Sequence, residues 1–458
     1  MKLKNIALAL MATLLLASCK KELELTDPQA LDPGSALAND ANIKRVLQGA
    51  YDVLSSSNLY GGNTQLFADL AASDGQLNWV GTFNTYREVW GKSLLTTNPN
   101  IRDLWGDAYN AINIANNVLA NIDKVASADQ DQVKGEALFI RGTMHFELVR
   151  YFAKDYTDGD PANNPGVPVV KIPTNSSNEV TRPARNKVAE VYTQVIADLT
   201  EAEGLLPDDN SVYANQSAAA AMLSRVYLQK ADYAAARDAA DRAIQSAPGS
   251  LLPSFLDNFN QAANTAEDIF AIQVSDQDGS NNLQLFYSVD IFGARDGDIE
   301  IEPTFLSLYE AQDVRRTSTS NPSTANFNTA FYTKYSAYRT AKWRDLYKNI
   351  KVIRLAEMYL TRAEANFRLG TAVGDTPLND INRIRRRANA TALTALTLND
   401  FYDERRRELA FEGFGLHDAK RFKKTVDGLP WNDNKLIFPI PFREINANSS
   451  LTQNPGYL

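Results

Sequence analysis

The chain has 458 residues, of which 47 are basic and 55 are acidic, so its formal net charge is −8 at pH 7. An acidic protein argues against nucleic acid as a partner, because the phosphate backbone repels it. The single cysteine, Cys19, excludes an internal disulfide. Stability must therefore come from packing, for which the 44% of apolar residues provide ample material.

The first residues have the pattern of an export signal. Lys2 and Lys4 precede an apolar run from Ile6 to Ala17, and small residues lead into Cys19. The run is shorter than the roughly 20 residues that a membrane-spanning helix requires. We therefore predict a cleaved lipoprotein signal at 1–18, with a lipid on Cys19 that anchors the protein to a membrane.

Helical patterns follow an extended leader. Residues 19–39 contain proline and aspartate and are predicted to form a tether between the lipid and the body of the protein. Apolar residues at helical spacing then predict helices near 41–56, 103–123, 131–154 and 187–204. Residues 55–100, rich in glycine, asparagine and aromatics, are predicted to form a loop.

An internal repeat determines the predicted fold class. Small and aromatic residues stand at the offsets of a tetratricopeptide unit, in which two antiparallel helices pack closely: Leu223, Tyr227, Tyr233, Ala236, Ala243, Ile244 and Pro248. A weaker helix pair follows. We predict a mainly α, tetratricopeptide-type superhelix of about four helix pairs with long loop and small β-hairpin insertions, forming a single body over 40–458, with pairs near 41–123, 131–204, 217–248 and 352–390.

Two short strands are predicted outside the helix pairs. The apolar run Ile269–Val274 and the segment Leu436–Phe438 have the composition of strands.

Segments along nearly the whole predicted mature chain resemble the SusD/RagB family of nutrient-binding outer-membrane lipoproteins of the Bacteroidetes. The resemblance rests on their order as much as on each segment: Phe146–Phe152, Gly166–Val170, Arg182–Arg185, Ile353–Leu360, Arg362–Ala365, Ile381–Arg385, Glu404–Gly413 and Gln453–Tyr457.

The resemblance implies a binding protein without catalysis. Members of the family cover a TonB-dependent, SusC-like transporter barrel, capture a nutrient oligomer at the cell surface and pass it inward. The ligand is usually a glycan and sometimes a peptide. The resemblance also implies a lipid-anchored location at the outer membrane, a tetratricopeptide surface packed on the transporter, and a ligand site carried by inserted loops, with no cofactor and no metal.

Two aromatic loops are the candidate ligand-binding segments. A sugar presents C–H groups that stack on aromatic rings and hydroxyls that pair with amide, carboxylate or guanidinium groups. The loop at 78–87 has that composition, and its position matches a loop that contributes to binding in the family. A second aromatic run lies at 285–292. The candidate residues are Asn78, Trp79, Phe83, Tyr86, Arg87, Tyr287 and Phe292. The alternative is that these rings fill the core, as most large aromatics do.

The other chemistry-bearing residues favour structural roles. His145 and His417 lie far apart in apolar helical segments, outside any metal-ligand spacing. The arginine runs 385–387 and 405–407 stand among glutamates, so internal ion pairing is expected rather than phosphate binding. Two alternatives to a nutrient-binding protein stay open, a lipid-anchored glycoside hydrolase and a tetratricopeptide scaffold that binds only proteins.

Overall fold

A computed structural model describes residues 33–277, 281–320, 322 and 328–457. Over this part of the chain it contains sixteen α-helices, α1 to α16 in order: Pro33–Ala36, Asp40–Ser55, Asn63–Ala71, Asn84–Trp90, Pro99–Ala120, Gln130–Phe152, Val188–Leu205, Gln216–Gln229, Tyr233–Ser246, Asn282–Tyr287, Pro303–Leu306, Leu355–Leu369, Pro377–Arg387, Leu398–Glu408, Gly415–Arg421 and Phe442–Ala447.

The strands form two small sheets. In chain order β1 to β7 are Leu77–Trp79, Asp268–Ile272, Ile299–Ile301, Ser318–Thr319, Phe331–Lys334, Ala337–Thr340 and Ile350–Arg354. The larger sheet has the order β1-β3-β6-β5-β4, and only the pair β4 and β5 is parallel. The smaller sheet pairs β2 with β7 antiparallel. The predicted strand at Ile269–Val274 is confirmed by β2.

The long helices stack in sequence order into a superhelix. Helix α2 packs on α5, α6 on α7, α8 on α9 and α12 on α13, and contacts between α5 and α6, α7 and α8, and α9 and α12 join these four pairs. The predicted fold class is therefore confirmed, including the small hairpin insertion made by β5 and β6.

Local sequence explains where the helices begin and how closely they approach. The Asn39 side chain accepts a hydrogen bond from the Asn42 backbone and caps α2. Pro99 stands in the first turn of α5, where its missing N–H costs nothing. Helices α8 and α9 both carry fully buried alanines, whose small side chains allow the close packing expected of the repeat: Ala219, Ala220, Ala236, Ala239, Ala240 and Ala243.

Two local predictions are wrong. The predicted loop at 55–100 contains α3, β1 and α4. The predicted strand at Leu436–Phe438 is instead the end of a 3₁₀ turn followed by an extended segment. There, the Phe438 N–H donates to the Tyr151 carbonyl, and the Asn454 side-chain amide donates to the Phe438 carbonyl. The backbone of Phe438 is therefore hydrogen-bonded to a helix end and a side chain instead of to another strand.

Most arginines of the two runs make internal ion pairs, as predicted: Arg385 and Arg407 pair with Glu404, Arg387 with Glu267, and Arg405 with Asp418. Arg386 is exposed. Arg354, at the end of β7, donates to Glu408 and Glu412, and Arg315 donates to Glu408 from the other side. Arg387 also pairs with Glu408. Burial alone would raise the pKa of Glu408, but the surrounding guanidinium groups hold it well below its usual range.

The predicted signal segment, Cys19 and the tether up to residue 32 lie outside the described residues. Within the described ranges, no helix combines the length and apolar character that crossing a bilayer requires.

Candidate ligand-binding site

A strand pair brings the two candidate loops together. In the antiparallel pairing of β1 with β3, Trp79 stands opposite Ile299. The pairing is extended by a hydrogen bond of 2.9 Å from the Val80 N–H to the Asp298 carbonyl. The loop that leaves β1 therefore meets the loop that enters β3, although more than 200 residues separate them in sequence.

A side-chain hydrogen-bond hub fixes this arrangement. The Asn282 side-chain amide, at the start of α10, donates to Oδ1 of the Asn63 side chain and to the Tyr86 hydroxyl, both at 3.0 Å. The Tyr86 hydroxyl donates to the same Asn63 oxygen at 2.9 Å. Gly62 allows the close approach: its φ is +154°, and an added Cβ would lie 2.4 Å from the Asn282 Cβ.

A buried aromatic cluster lies beneath the loops. Trp79 stacks on Tyr86 at a centroid distance of 4.9 Å, and Phe286 packs against both rings at 5.3 and 4.6 Å. Trp79 is only 2% exposed, and its indole N–H has no hydrogen-bond partner among the described residues. Phe83 contacts the same cluster by its edge but is 43% exposed. The cluster thus supports one ring that faces solvent.

Four of the five candidate aromatics are buried, as the alternative of core packing expects. Trp79 and Tyr86 belong to the buried cluster. Tyr287 is fully buried, and Phe292 packs edge-on against Tyr332 at 5.6 Å. Packing holds these four rings inside the protein, so none of them offers a free face to a ligand in this conformation.

The three other candidates lie at or near the surface. Phe83 is the exposed ring described above. Asn78 is half-buried on β1, and its amide donates to Glu302. Arg87 is exposed on α4 and donates to the Gly81 carbonyl at 2.7 Å, which secures the loop it belongs to.

Arg295 is a site residue that the sequence analysis missed. Its guanidinium carbon lies 4.6 Å from the centre of the Phe83 ring. Its Nε donates to Asp298 at 2.7 Å and one Nη donates to the Thr82 hydroxyl at 3.1 Å. These contacts leave three of its five N–H donors unused within the described chain. The only available signal was a polar loop, 293–297, ahead of a strand.

We call the surface formed by segments 80–87 and 290–297, together with Tyr335, the ligand face. Tyr335 is half-exposed at the β5–β6 turn, where residues 335 and 336 have φ values of 53° and 63°, as two-residue hairpin turns require. Interaction with the Asp290 carboxylate raises the pKa of Tyr335. The face combines exposed aromatic rings with carboxylate and guanidinium groups.

A buried acid lies behind the ligand face. Asp69, on α3, accepts hydrogen bonds from the Tyr287 hydroxyl at 3.4 Å and from the backbone N–H groups of Gly413 and Gly415 at 3.2 and 3.4 Å. Burial raises the pKa of Asp69 to about 7, because these bonds only partly replace its lost hydration. No cation pairs with it in the described part of the chain.

The two histidines have structural environments. The Val170 N–H donates to Nε2 of His145, and Nδ1 lies 3.0 Å from the Arg141 carbonyl, so the ring is a neutral tautomer that donates from Nδ1. Burial lowers the pKa of His145 to about 3 and that of His417 well below its usual value. Among residues 33–457 that are described, no three His, Cys, Asp or Glu side chains are grouped to hold a metal.

Comparisons with known proteins agree with this architecture. A family described as "Starch-binding associating with outer membrane" matches residues 23–228, and the SusD family matches residues 307–436. SusD-like protein P2 of Formosa agariphila is 26% identical, over 97% of this chain and 98% of its own. The starch-binding protein SusD of Bacteroides thetaiotaomicron is 37% identical over 123 residues, which are 24% of this chain and 22% of its own.

Solved structures show the same fold over most of the chain. A putative sugar-binding protein from Bacteroides vulgatus superposes with a TM-score of 0.78 at 29% identity, covering 92% of this chain and 99% of its own. A SusD superfamily protein from Bacteroides thetaiotaomicron gives 0.79 at 26% identity, covering 91% and 99%. With the two family matches and the helical superhelix, these likenesses establish that the chain belongs to the SusD/RagB family.

Proposed function

We propose that the protein captures a glycan on the ligand face and delivers it to a partner SusC-like TonB-dependent transporter in the outer membrane, without changing it chemically. The observation that carries this proposal is the exposed Phe83 ring, supported by a buried aromatic cluster and flanked by the Arg295 guanidinium. Membership of the SusD/RagB family and the sugar-binding names of several relatives support the same ligand class.

The arrangement of Phe83 and Arg295 suits a sugar because neighbouring residues hold both side chains in place before the ligand binds. Phe83 offers apolar area to the C–H groups of a pyranose ring. Arg295 is oriented by Asp298 and Thr82, and its remaining donors can reach hydroxyl oxygens. Groups held in place by their neighbours lose little conformational entropy on binding, so more of the contact energy contributes to affinity.

The proposed lipid on Cys19 would hold the protein close to its transporter during capture. A tether of the predicted length, residues 19–39, would keep the body beside the transporter at a high effective concentration while leaving it free to move. Delivery would then depend on opening and closing over the barrel rather than on repeated encounters by diffusion.

Binding and product analysis test this function together. Purified protein is titrated calorimetrically with maltoheptaose, cellohexaose, xylohexaose and mannohexaose, and with a hexapeptide mixture, and each incubated sugar is then examined by chromatography. We expect at least one sugar to bind and to be recovered at full length. Shortened products at enzymatic turnover would establish a glycoside hydrolase instead, and binding of the peptides alone would assign a peptide-binding role.

The site itself is tested with matched phenylalanine variants. Phe83→Ala should weaken binding of the tightest sugar by about 1 to 2 kcal/mol, which is roughly 5- to 30-fold, because a stacking ring is lost. Phe442→Ala, at a phenylalanine that is 52% exposed outside the ligand face, should bind like the wild type. Equal affinities of all three proteins would remove the ligand face from the proposal.

A further inference from the structure

Two adjoining pockets lie outside the ligand face and share Tyr51 and Tyr213 as a common wall. The first opens between α2 and the start of α6 and has a cavity volume of about 280 Å³. The second opens between α2, the segment 212–213 and β2 and has a cavity volume of about 210 Å³. Each is smaller than a typical small-molecule site, so an oligosaccharide would have to span both pockets. We call the combined feature, lined by Gln48, Tyr51, Asp52, Gln132, Glu136 and Tyr213, the tyrosine groove.

The shared wall is an aromatic platform. The two tyrosine rings lie 4.8 Å apart at an angle of 53°, and both are half-buried. The Tyr51 hydroxyl accepts a hydrogen bond from the Ala214 N–H at 3.1 Å, which fixes that ring. The Tyr213 hydroxyl makes no hydrogen bond to another described residue. Tyr213 is thus a partly exposed ring with a free polar tip, held against a rigid neighbour.

The polar side chains beside the aromatic platform are of two kinds. Some are held in place by hydrogen bonds, and others make no hydrogen bond to a described residue. In the first pocket the Asn210 amide donates to Glu136 at 2.9 Å, and the Gln132 amide donates to the Asn210 side chain at 2.7 Å. Along α2, Gln48 and Asp52 stand one turn apart, and the side chain of neither makes a hydrogen bond in the described chain. The groove therefore presents both ordered and unused partners for hydroxyl groups.

The charges favour an uncharged ligand. Asp52 and Glu136 line the groove, and burial raises the pKa of Glu136. The one lysine at its edge, Lys44, is already paired with Asp40 at 2.9 Å and with Asp129 at 2.5 Å. A uronate or sulfate group would meet carboxylates without a free cation, which costs binding energy.

From this geometry we infer that the tyrosine groove is a second binding site for a neutral oligosaccharide, distinct from the ligand face. One pyranose ring stacks on Tyr213, and the neighbouring units exchange hydroxyl hydrogen bonds with Gln48 and Gln132 in the first pocket and with Asp52 in the second. The ligand class rests on the proposed function.

Calorimetry on the full-length protein with the four sugars named above tests the groove. We expect two sites per chain for the best-bound sugar. Tyr213→Ala should weaken the groove site at least fivefold and leave the other site unchanged, whereas Tyr213→Phe, which keeps the ring, should stay within twofold of the wild type. Gln48→Ala removes a side chain without internal hydrogen bonds, so it should weaken the same site while the melting temperature stays constant.

The outcomes separate the groove from the ligand face. A single site that Phe83→Ala weakens and that Tyr213→Ala and Gln48→Ala leave unchanged would overturn the groove and preserve the proposed function. Failure of all four sugars to bind would overturn both. If Tyr213→Ala instead abolished copurification of a membrane barrel without altering sugar binding, the groove would be a protein contact and the inference would be wrong.

Discussion

Substitution of Trp79 separates a structural ring from a ligand-contacting one. Its side chain is 2% exposed and contacts Tyr86 and Phe286. Truncation of a buried tryptophan to alanine typically costs about 3 to 5 kcal/mol, and the aromatic pairs contribute about 0.5 to 1.5 kcal/mol each within such totals. We therefore expect Trp79→Ala to lower the free energy of unfolding by about 3 to 5 kcal/mol.

The variant Trp79→Phe is the matched control. The Trp79 indole N–H has no hydrogen-bond partner in the described chain, so phenylalanine removes an unsatisfied donor while keeping a ring. Its cost should be smaller, about 1 to 2 kcal/mol, because the phenylalanine ring fills most of the space that alanine would leave empty. Urea unfolding followed by circular dichroism measures both variants. Unchanged urea midpoints combined with lost sugar binding by Trp79→Ala would refute this reasoning and make Trp79 a ligand contact.

Four further predictions follow from buried or predicted features. Glu408→Gln should destabilise by about 3 to 5 kcal/mol in urea titrations, since it removes the buried carboxylate that Arg315, Arg354 and Arg387 share. Asp69 has a raised folded-state pKa of about 7, so the cost of burying it grows from about pH 4 and levels off above pH 7. The stability of Asp69→Asn relative to wild type should therefore rise between about pH 4 and pH 7 and change little above that. Gly62→Ala should cost more than about 1 kcal/mol in thermal unfolding, because both its φ and the space around it exclude a Cβ. Cys19→Ala should move the protein from the membrane to the soluble fraction of fractionated cells.

Helix α2 was predictable because it has one buried face. Along α2 the buried positions Ile43, Leu47, Ala50 and Leu54 repeat at helical spacing. Helix α3 lacks this signal because all nine of its residues are buried, including Asn63 and its polar neighbours. A short helix that is buried on every side has no exposed face, so its polar and apolar residues do not recur at helical spacing. Its sequence therefore resembled that of a loop.

The candidate site was predictable in composition but not in orientation. The loop at 78–87 does lie beside the run at 285–292, yet the direction of each ring depends on contacts that form only in the folded chain. Trp79 points inward because β1 pairs with β3, and alternation along β1 leaves Asn78 on the other side. Arg295 reaches Phe83 across more than 200 residues of sequence, a contact that no local pattern encodes.

Hydrogen exchange with and without the best-bound sugar tests the central claim most directly, because it reports which backbone segments the ligand covers. If the ligand face captures the glycan, amides in segments 80–87 and 290–297 should exchange more slowly in the complex, and Phe83→Ala should reduce that protection at equal sugar concentration. Saturating sugar that leaves both segments unchanged would contradict glycan capture at the ligand face.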